Sequence, residues 1–346
     1  MKLLKAFLRL AAVLTGIVLV FVLVVWLFEY RPENREVIYR AAHARSLLTD
    51  TLTLLTWNTG YAGLDDSMDF FYDGGKQSRT NAKRATENLE RIASFLQHCG
   101  ADIILLQEVD VFSKRSYYTD QFETYRKRLS DYRAFFAYNY NSLYVPVPLK
   151  QPMGRVKGGI ALFSRPEPLE VLRYQYPSRF SFPMRLFNLK RCLLSARYRM
   201  LNGRTLTVSN THNTAYDTGG MRTQEMNYLR DTLTAEYARG ILSITGGDWN
   251  QNPPDYLPSD AETGNRYFSP LRMDSTLFPA GWEFVYDRSR PTARYLDEPY
   301  NPATTTTTLI DLFLISPGIR CIDIRTIDLG FRHSDHNPVR AVFVIG

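Results

Sequence analysis

The chain has 346 residues, with 42 Lys+Arg against 35 Asp+Glu for a formal charge of +7, 45% hydrophobic and 22% charged residues, 20 Gly and 18 Pro. These values lie near the globular average and exclude a disordered, collagen-like or coiled-coil chain, while the length allows one large domain or two ordinary ones. Three cysteines, Cys99, Cys192 and Cys321, are too few and too widely spaced for a disulfide scaffold or a cysteine-based zinc site, and the odd count leaves at least one thiol unpaired within the chain.

The first element is apolar. Leu10 to Phe28, LAAVLTGIVLVFVLVVWLF, holds 19 residues without a charge, which at ~1.5 Å per residue nearly crosses a hydrocarbon core of ~30 Å. Trp26 and Tyr30 stand where interfacial aromatics belong. Lys2, Lys5 and Arg9 precede the run, so the positive-inside rule places the N-terminus in the cytoplasm and the rest of the chain outside it. A cleaved signal peptide would have a shorter apolar stretch ending in small residues, and this run ends Val-Val-Trp-Leu-Phe-Glu-Tyr. A buried core helix would show a polar interruption. Residues 1–28 therefore read as an uncleaved transmembrane signal anchor. The remainder carries 39 basic against 35 acidic residues, too mild an excess to argue for nucleic acid by itself.

Residues 29–50 are charged and mixed, and read as a juxtamembrane linker or a helical extension of the anchor. From 51 onward, strand and helix patterns interleave. TLTLLTWN (51–58) predicts a strand; Ala85, Leu89, Ile92 and Leu96 share one face of a helix from about Asn81 to His98, stopped by Gly100. ADIILLQEV (101–109), IALFS (160–164), RCLLSARYRM (191–200) and RTLTVSNTH (204–212) predict further strands, the last two joined by an Asn202-Gly203 hairpin. Met226, Leu229, Leu233 and Tyr237 mark a second amphipathic helix, and ILSITGGD (241–248), TLIDLFLIS (308–316) and VRAVFVI (339–345) complete the strand set. Thr304 to Thr308 is the one low-complexity element. With no break in composition, residues 51–346 read as one α/β domain with mixed sheets.

Polar residues gather at strand ends: Asn58, Glu108, His212, Asp248 with Asn250, Asp311, and Asp335 with His336. An α/β scaffold assembles a site from such edge loops. Each residue has a plainer reading. Asn58 suits a turn, Asp248 and Asp335 suit loop caps, a lone His212 or His336 suits a structural histidine, and Glu108 could be solvated. Asp311 carries more weight, because an acid between Ile310 and Leu312 is costly to bury unless paired, and a histidine is the obvious partner. Carboxylates and amide oxygens together suit Mg²⁺ or Mn²⁺, and no Cys/His set is spaced for zinc.

The ordered set WN, QEV, NTHN, GDWN, IDLFLIS and SDHNPV, running from Asn58 to His336, resembles the endonuclease/exonuclease/phosphatase superfamily with its deoxyribonuclease I-like fold. The resemblance implies a four-layer α/β/β/α sandwich of two mixed sheets and metal-dependent hydrolysis of phosphate esters in nucleic acids, phospholipids or inositol phosphates. Glu108 would be the main Mg²⁺ carboxylate, with Asn58 and Asp335 beside the ion and Mn²⁺ as the alternative metal. Asp248 would orient or activate water and Asn250 hold a phosphate oxygen. His336, oriented by Asp311, would sit on the scissile phosphate, and His212 would contact the same phosphate and protonate the leaving oxygen.

Two insertions bear on substrate. Residues 60–79, acidic and aromatic, start at the site and predict a rim or lid, in which Lys76 and Arg79 would meet a second phosphate or an anionic head group. Residues 138–159 resemble the loop near the substrate in the sphingomyelinase-like branch, with Arg155 and Lys157 as candidate phosphate contacts. The leading expectation is a membrane-anchored, Mg²⁺-dependent phosphodiesterase or phosphatase acting outside the cytoplasm on a lipid or small phosphoester. The alternatives are an anchored nuclease, or a binding protein on the same fold. No protein partner is indicated.

Overall fold

The structure, a computed structural model, describes residues 1–42, 49–217, 220–264, 267–268 and 270–346. In chain order its elements are α1 (Lys2–Leu27), β1 (Arg35–Arg40), β2 (Thr51–Asn58), α2 (Ala82–His98), β3 (Ile103–Asp110), α3 (Gln121–Arg128), β4 (Arg133–Val145) and β5 (Gly154–Ser164). Then follow β6 (Glu170–Gln175), β7 (Cys192–Arg199), β8 (Thr205–His212), α4 (Met221–Tyr237), β9 (Ile241–Asp248), α5 (Asp260–Gly264), β10 (Glu283–Val285), β11 (Ala293–Arg294), β12 (Thr307–Thr308), β13 (Asp311–Ile315), β14 (Ile319–Thr326) and β15 (Val339–Ile345).

Two mixed sheets face each other, one ordered β1-β6-β7-β8-β9-β13-β10 and the other β14-β15-β2-β3-β5-β4. In each sheet one neighbouring pair is parallel, β8 with β9 and β2 with β3, as a helical crossover requires. The apolar runs in the sequence follow from this layering. Leu52 and Leu54 of β2, and Ile103 and Leu105 of β3, point between the sheets and meet Leu206, Val208, Leu242, Ile244 and Phe313. Leu55, Trp57, Ile104 and Leu106 point outward and are covered by Leu89, Ile92 and Leu96 of α2 and Tyr125 of α3. On the far side, Met226, Leu229 and Leu233 of α4 cover Leu193, Leu312 and Leu314. A strand buried on both faces has no polar alternation, which is why these strands read as continuous apolar runs. The result is the expected α/β/β/α sandwich.

Two segments differ from the sequence reading. Arg35–Arg40, within the stretch expected as a linker or helical extension, is an edge strand paired antiparallel with β6 from Arg35↔Tyr174 to Arg40↔Glu170. The apolar Val37-Ile38-Tyr39 triplet favours a strand, Ile38 and Tyr39 pack against the inter-sheet core, and the pairing covers the exposed backbone edge of β6. Residues 43–48 of the same stretch lie outside the described residues. Residues 138–159, expected as a loop, form most of a long hairpin, with β4 and β5 paired from Arg133↔Ser164 to Val145↔Gly154. The glycines there are strand residues: a Cβ on Gly159 would lie 2.0 Å from the Ala137 carbonyl oxygen, and one on Gly158 2.2 Å from Asp110 Oδ1.

α1 is long and apolar enough to cross a membrane, and almost all of it is exposed; within it only Val25 is buried. After it, Glu29 pairs with Arg185 at 3.2 Å and Lys190 at 3.1 Å, and Asn34 O accepts from the Gln175 amide.

Candidate active site

One end of the sandwich carries the polar strand ends. Within the seven-stranded sheet, β8, β9 and β13 are neighbours, and their register sets His212 opposite Asp248 and Asp248 opposite Asp311. Gly246 and Gly247 permit this. A Cβ on Gly247 would meet Thr211 O at 2.0 Å and one on Gly246 would meet the Phe313 ring at 2.5 Å. The Gly-Gly before Asp248 is thus a close-approach device. Gly247→Ala is expected to destabilise the fold by about 3 kcal/mol, the upper range for overpacking, and a urea unfolding curve at the wild-type value would refute this.

The other sheet supplies the facing wall. Asn58 closes β2, and Glu108 lies at a bulge of β3 between Leu106 and Val109, with φ +54°. The left-handed backbone there costs on the order of 1 kcal/mol or more and turns the carboxylate out of the strand alternation. Gly60 passes so close to Asp335 that a Cβ would lie 2.8 Å from Asp335 Oδ1. The two tryptophans of the motifs are fasteners: Trp57 Nε1 donates to His336 O at 2.8 Å and Trp249 Nε1 to Leu312 O at 3.0 Å. Beneath the site Gln107 Nε2 donates to Asn210 Oδ1 at 2.7 Å, and Asn210 Nδ2 donates to Leu106 O and Ala161 O, tying the two sheets together.

The acidic and imidazole groups converge. His336 Nδ1 meets Asp311 Oδ2 at 2.8 Å, and its Nε2 lies 3.9 Å from both Asp248 Oδ2 and Asp335 Oδ2. His212 Nε2 stands 3.4 Å from Asp248 Oδ2 and 3.9 Å from Glu108 Oε1. Asn58 Nδ2 donates to Asp248 Oδ2 at 2.9 Å and reaches Glu108 Oε1 at 3.5 Å. The Asn250 amide N–H donates to Asp248 Oδ1, and its side chain donates to Asn213 O. Asp248, Asp311, His212 and Asn58 are at most 2% exposed.

Electrostatics separate the two histidines. Burial alone would push the His336 pKa down, but the carboxylates of Asp311, Asp335 and Asp248 outweigh it and hold the imidazole well above the usual histidine range. His212 is pushed well below it by burial, with Arg191 and His336 adding positive charge, so the free site favours its neutral ring. Asp248 is pushed up to about 7, chiefly by burial, with the His336 charge opposing and the Asp311 charge adding. A carboxylate so placed accepts a proton readily near neutral pH. Burial also raises Glu108 and Asp335, each opposed by nearby cations and, for Glu108, reinforced by the Asp335 charge.

The donor set fits a hard divalent cation. Among the described residues Glu108 has no Lys or Arg within ion-pair distance, and it shares the pocket with the buried Asp335, a pair of oxygen donors, while Asn58 turns its Nδ2 toward Glu108 and its Oδ1 accepts from the Gly60 amide. Asp248, Asp311 and His336 also bring ligand atoms within 4.8 Å of one another. An ion there would have to displace the His336–Asp311 hydrogen bond, so the Glu108–Asp335 side is the better cradle.

These groups form the floor of a cavity of about 210 Å³. Asn58, Glu108, His212, Asp248, Asn250, Asp335 and His336 line it, and Asp311 lies behind His336. The 60–79 insertion contributes Tyr61, Leu64, Phe70, Tyr72 and Asp73 to its wall. The four cations proposed as substrate contacts lie elsewhere. Lys76 is exposed on the surface. Arg79 donates to Ser78 Oγ and Pro152 O and stacks over Tyr117. Arg155 donates to Asn141 Oδ1, and Lys157 sits over the Tyr138 ring. Their strand and turn positions turn them off the pocket. The arginines that do line it are Arg115, Arg191 and Arg294. Arg115 is committed to Asp110 through two hydrogen bonds of 3.0 Å, and Arg294 to the carbonyls of Asp65, Met68 and Tyr295. Arg191 donates to His212 O at 3.2 Å and, among the described residues, has no carboxylate within ion-pair distance. It stands in RCLLS, whose apolar look gave no sign of a site residue.

The profile of the Endonuclease/Exonuclease/phosphatase family matches residues 55–336. No curated protein matches the chain in sequence. Among solved structures, an endonuclease/exonuclease/phosphatase from Beutenbergia cavernae is similar, at 17% identity and TM-score 0.60 over 86% of this chain and 72% of that one. The human Nocturnin catalytic domain, bound to sulfate, is similar at 15% identity and TM-score 0.55 over 91% and 99% of the two chains. D. rerio TDP2, complexed with a single-strand DNA product, is similar at 16% identity and TM-score 0.53 over 85% and 98%.

Proposed function

The chain belongs to the endonuclease/exonuclease/phosphatase family, and from that premise we propose that it is a membrane-anchored, Mg²⁺-dependent phosphoester hydrolase acting on a lipid head group or small phosphoester. Family members are generally phosphoester hydrolases. The observation that carries the reading is the buried His336–Asp311 pair beside Asp248 at the floor of one cavity that Glu108 and Asp335 also line.

When bound between Glu108 and Asp335, with Asn58 beside it, the cation would draw negative charge off a phosphoryl oxygen. Mn²⁺ offers the same oxygen preference. The chain's own residues do the rest. Asp248, raised toward neutrality and held by Asn58 and the Asn250 amide, takes a proton from water as its oxygen bonds to phosphorus. The ester P–O bond opposite breaks with its electron pair going to the leaving oxygen, which takes a proton from water while Asp248 returns the one it accepted to solvent. His336, kept cationic by Asp311, donates a hydrogen bond to the charge that builds on the phosphoryl group. His212, neutral, donates one hydrogen bond, Asn250 supports a phosphate oxygen, and Arg191 supplies a permanent charge.

Tyr72, Tyr140, Phe180 and Tyr216 wall the cavity above this polar floor. An aromatic-walled pocket suits a head group better than a polyanion laid across an open cationic track. The anchor orientation, N-terminus cytoplasmic and domain outside, rests on Lys2, Lys5 and Arg9. The test is a panel of phospholipids, small phosphomonoesters and phosphodiesters, and plasmid DNA, incubated with full-length protein and Mg²⁺ beside His336→Ala. Release of phosphate or a phospho-head group by the wild type alone supports the reading. DNA nicking with no lipid or small-ester turnover establishes the nuclease, and no turnover of any kind supports the binding protein.

A further inference from the structure

Around the pocket mouth stand apolar side chains that serve neither core nor catalysis. Phe182 and Met184 are 55% and 52% exposed, and Leu149 is 89% exposed. The first two belong to the connection from β6 to β7, the third to the turn from β4 to β5. The turn and the connection are neighbours through β4, from which Ser142 Oγ donates to Leu186 O and Tyr140 OH to Phe187 O. They also carry Met153, Phe180 and Leu189 of the pocket wall, so wall and exposed lip are one surface.

α1 touches this lip. The Phe21 ring stacks on Phe187 at 6.1 Å and meets Tyr144 edge-on at 6.2 Å. Phe21 lies six residues before the helix end at Leu27, about 9 Å along the axis. A group in contact with α1 at that level lies below the point where the apolar run leaves the hydrocarbon, at the depth of ~5–10 Å reached by interfacial segments. Tyr144 is an aromatic suited to that depth, and the exposed Arg179 and Lys150 flank the lip with charge suited to lipid phosphates.

We propose that the lip formed by residues 144–150 and 180–187 is immersed in the leaflet that holds the C-terminal half of α1, so that the pocket takes a phosphodiester lipid directly from that leaflet. This rests on the anchored-hydrolase reading above, and two readouts keep them separable.

The first is catalysis-free. Full-length protein in a Trp26→Phe background is reconstituted into phosphatidylcholine/phosphatidylglycerol vesicles with brominated acyl chains, carrying Phe182→Trp, Leu149→Trp or, as control, Ile322→Trp. Ile322 is exposed on β14, the sheet edge opposite β4. The added emission at 182 and 149 is expected to be largely quenched and that at 322 preserved. Emission at 182 and 149 no more quenched than at 322 overturns the proposal. The second compares Phe182→Ser/Leu149→Ser with wild type on a phosphodiester lipid in vesicles and on soluble bis(4-nitrophenyl) phosphate. Lipid turnover is expected to fall roughly tenfold for the lost apolar burial, with the soluble diester unaffected. Unchanged lipid turnover also overturns the lip. If the wild type cleaves neither substrate while 182 and 149 are quenched, the lip stands and the hydrolase reading fails.

Discussion

His336→Ala is expected to lower turnover about 10³-fold, the range for losing a positioned cationic hydrogen-bond donor and its charge stabilisation, and to lower the thermal unfolding temperature as well, because the buried Asp311 carboxylate loses its partner, while Mg²⁺ affinity changes little. The side chain lines the pocket but takes no part in the inter-sheet core, and its backbone stays held by Trp57 and Ser334. Asp311→Asn is the informative companion. It keeps the shape but removes the charge that, with Asp335 and Asp248, holds His336 protonated against burial. It also allows the amide to present a donor to Nδ1, the wrong partner for a protonated ring. A loss of about 10²-fold or more in kcat with little change in KM is therefore expected, as for a residue that acts through another. If Asp311→Asn matched the wild type in kcat, the His336–Asp311 pair would be structural only. Turnover surviving in His336→Ala would place the chemistry elsewhere.

Glu108→Gln is expected to remove the response of turnover to Mg²⁺, with a loss of about 10³-fold if the cation supplies several kcal/mol to the transition state. Glu108 sits on a strained bulge, with its carboxylate held, among the described residues, by the long contact from Asn58 and the distant His212. Replacing this charge by a neutral amide relieves its burial cost and the repulsion from Asp335 while giving up attraction to Arg115, so the variant should unfold at the same temperature as wild type or higher. Lower Mg²⁺ affinity by titration calorimetry together with unimpaired stability is the distinguishing signature. Unaltered Mg²⁺ affinity would move the cation to the Asp248–Asp311–His336 cluster.

What could be read before any coordinates follows from local physics. Continuous apolar runs such as ADIILLQEV and ILSITGGD predicted strands covered on both faces, their interleaving with two amphipathic helices predicted one α/β domain with mixed sheets, and the resemblance carried by the ordered motifs implied the layered sandwich. The strand-end acids, amides and histidines were visible as misfits, Asp311 most of all, because an acid inside an apolar strand demands a partner. Charge-free length and three flanking bases marked α1 as a candidate span.

Direction and distance across the two sheets were beyond the sequence. Nothing local distinguishes Arg155 and Lys157, turned off the pocket along β5, from Arg191, which enters it, because a strand's outward or inward facing is set by register with its neighbours. The glycines of 158–159 resemble turn residues until β3 and β4 are seen pressing on them. Arg35–Arg40 looks like a charged linker until β6 offers it an edge. The sequence by itself determined which acids, amides and histidines stand at strand ends and that an apolar helix precedes the domain. Only the tertiary structure decided which residues share the cavity, which histidine is drawn toward its charged form, and that the helix touches β4 and the β6–β7 connection, because each depends on groups brought together from strands far apart in the chain.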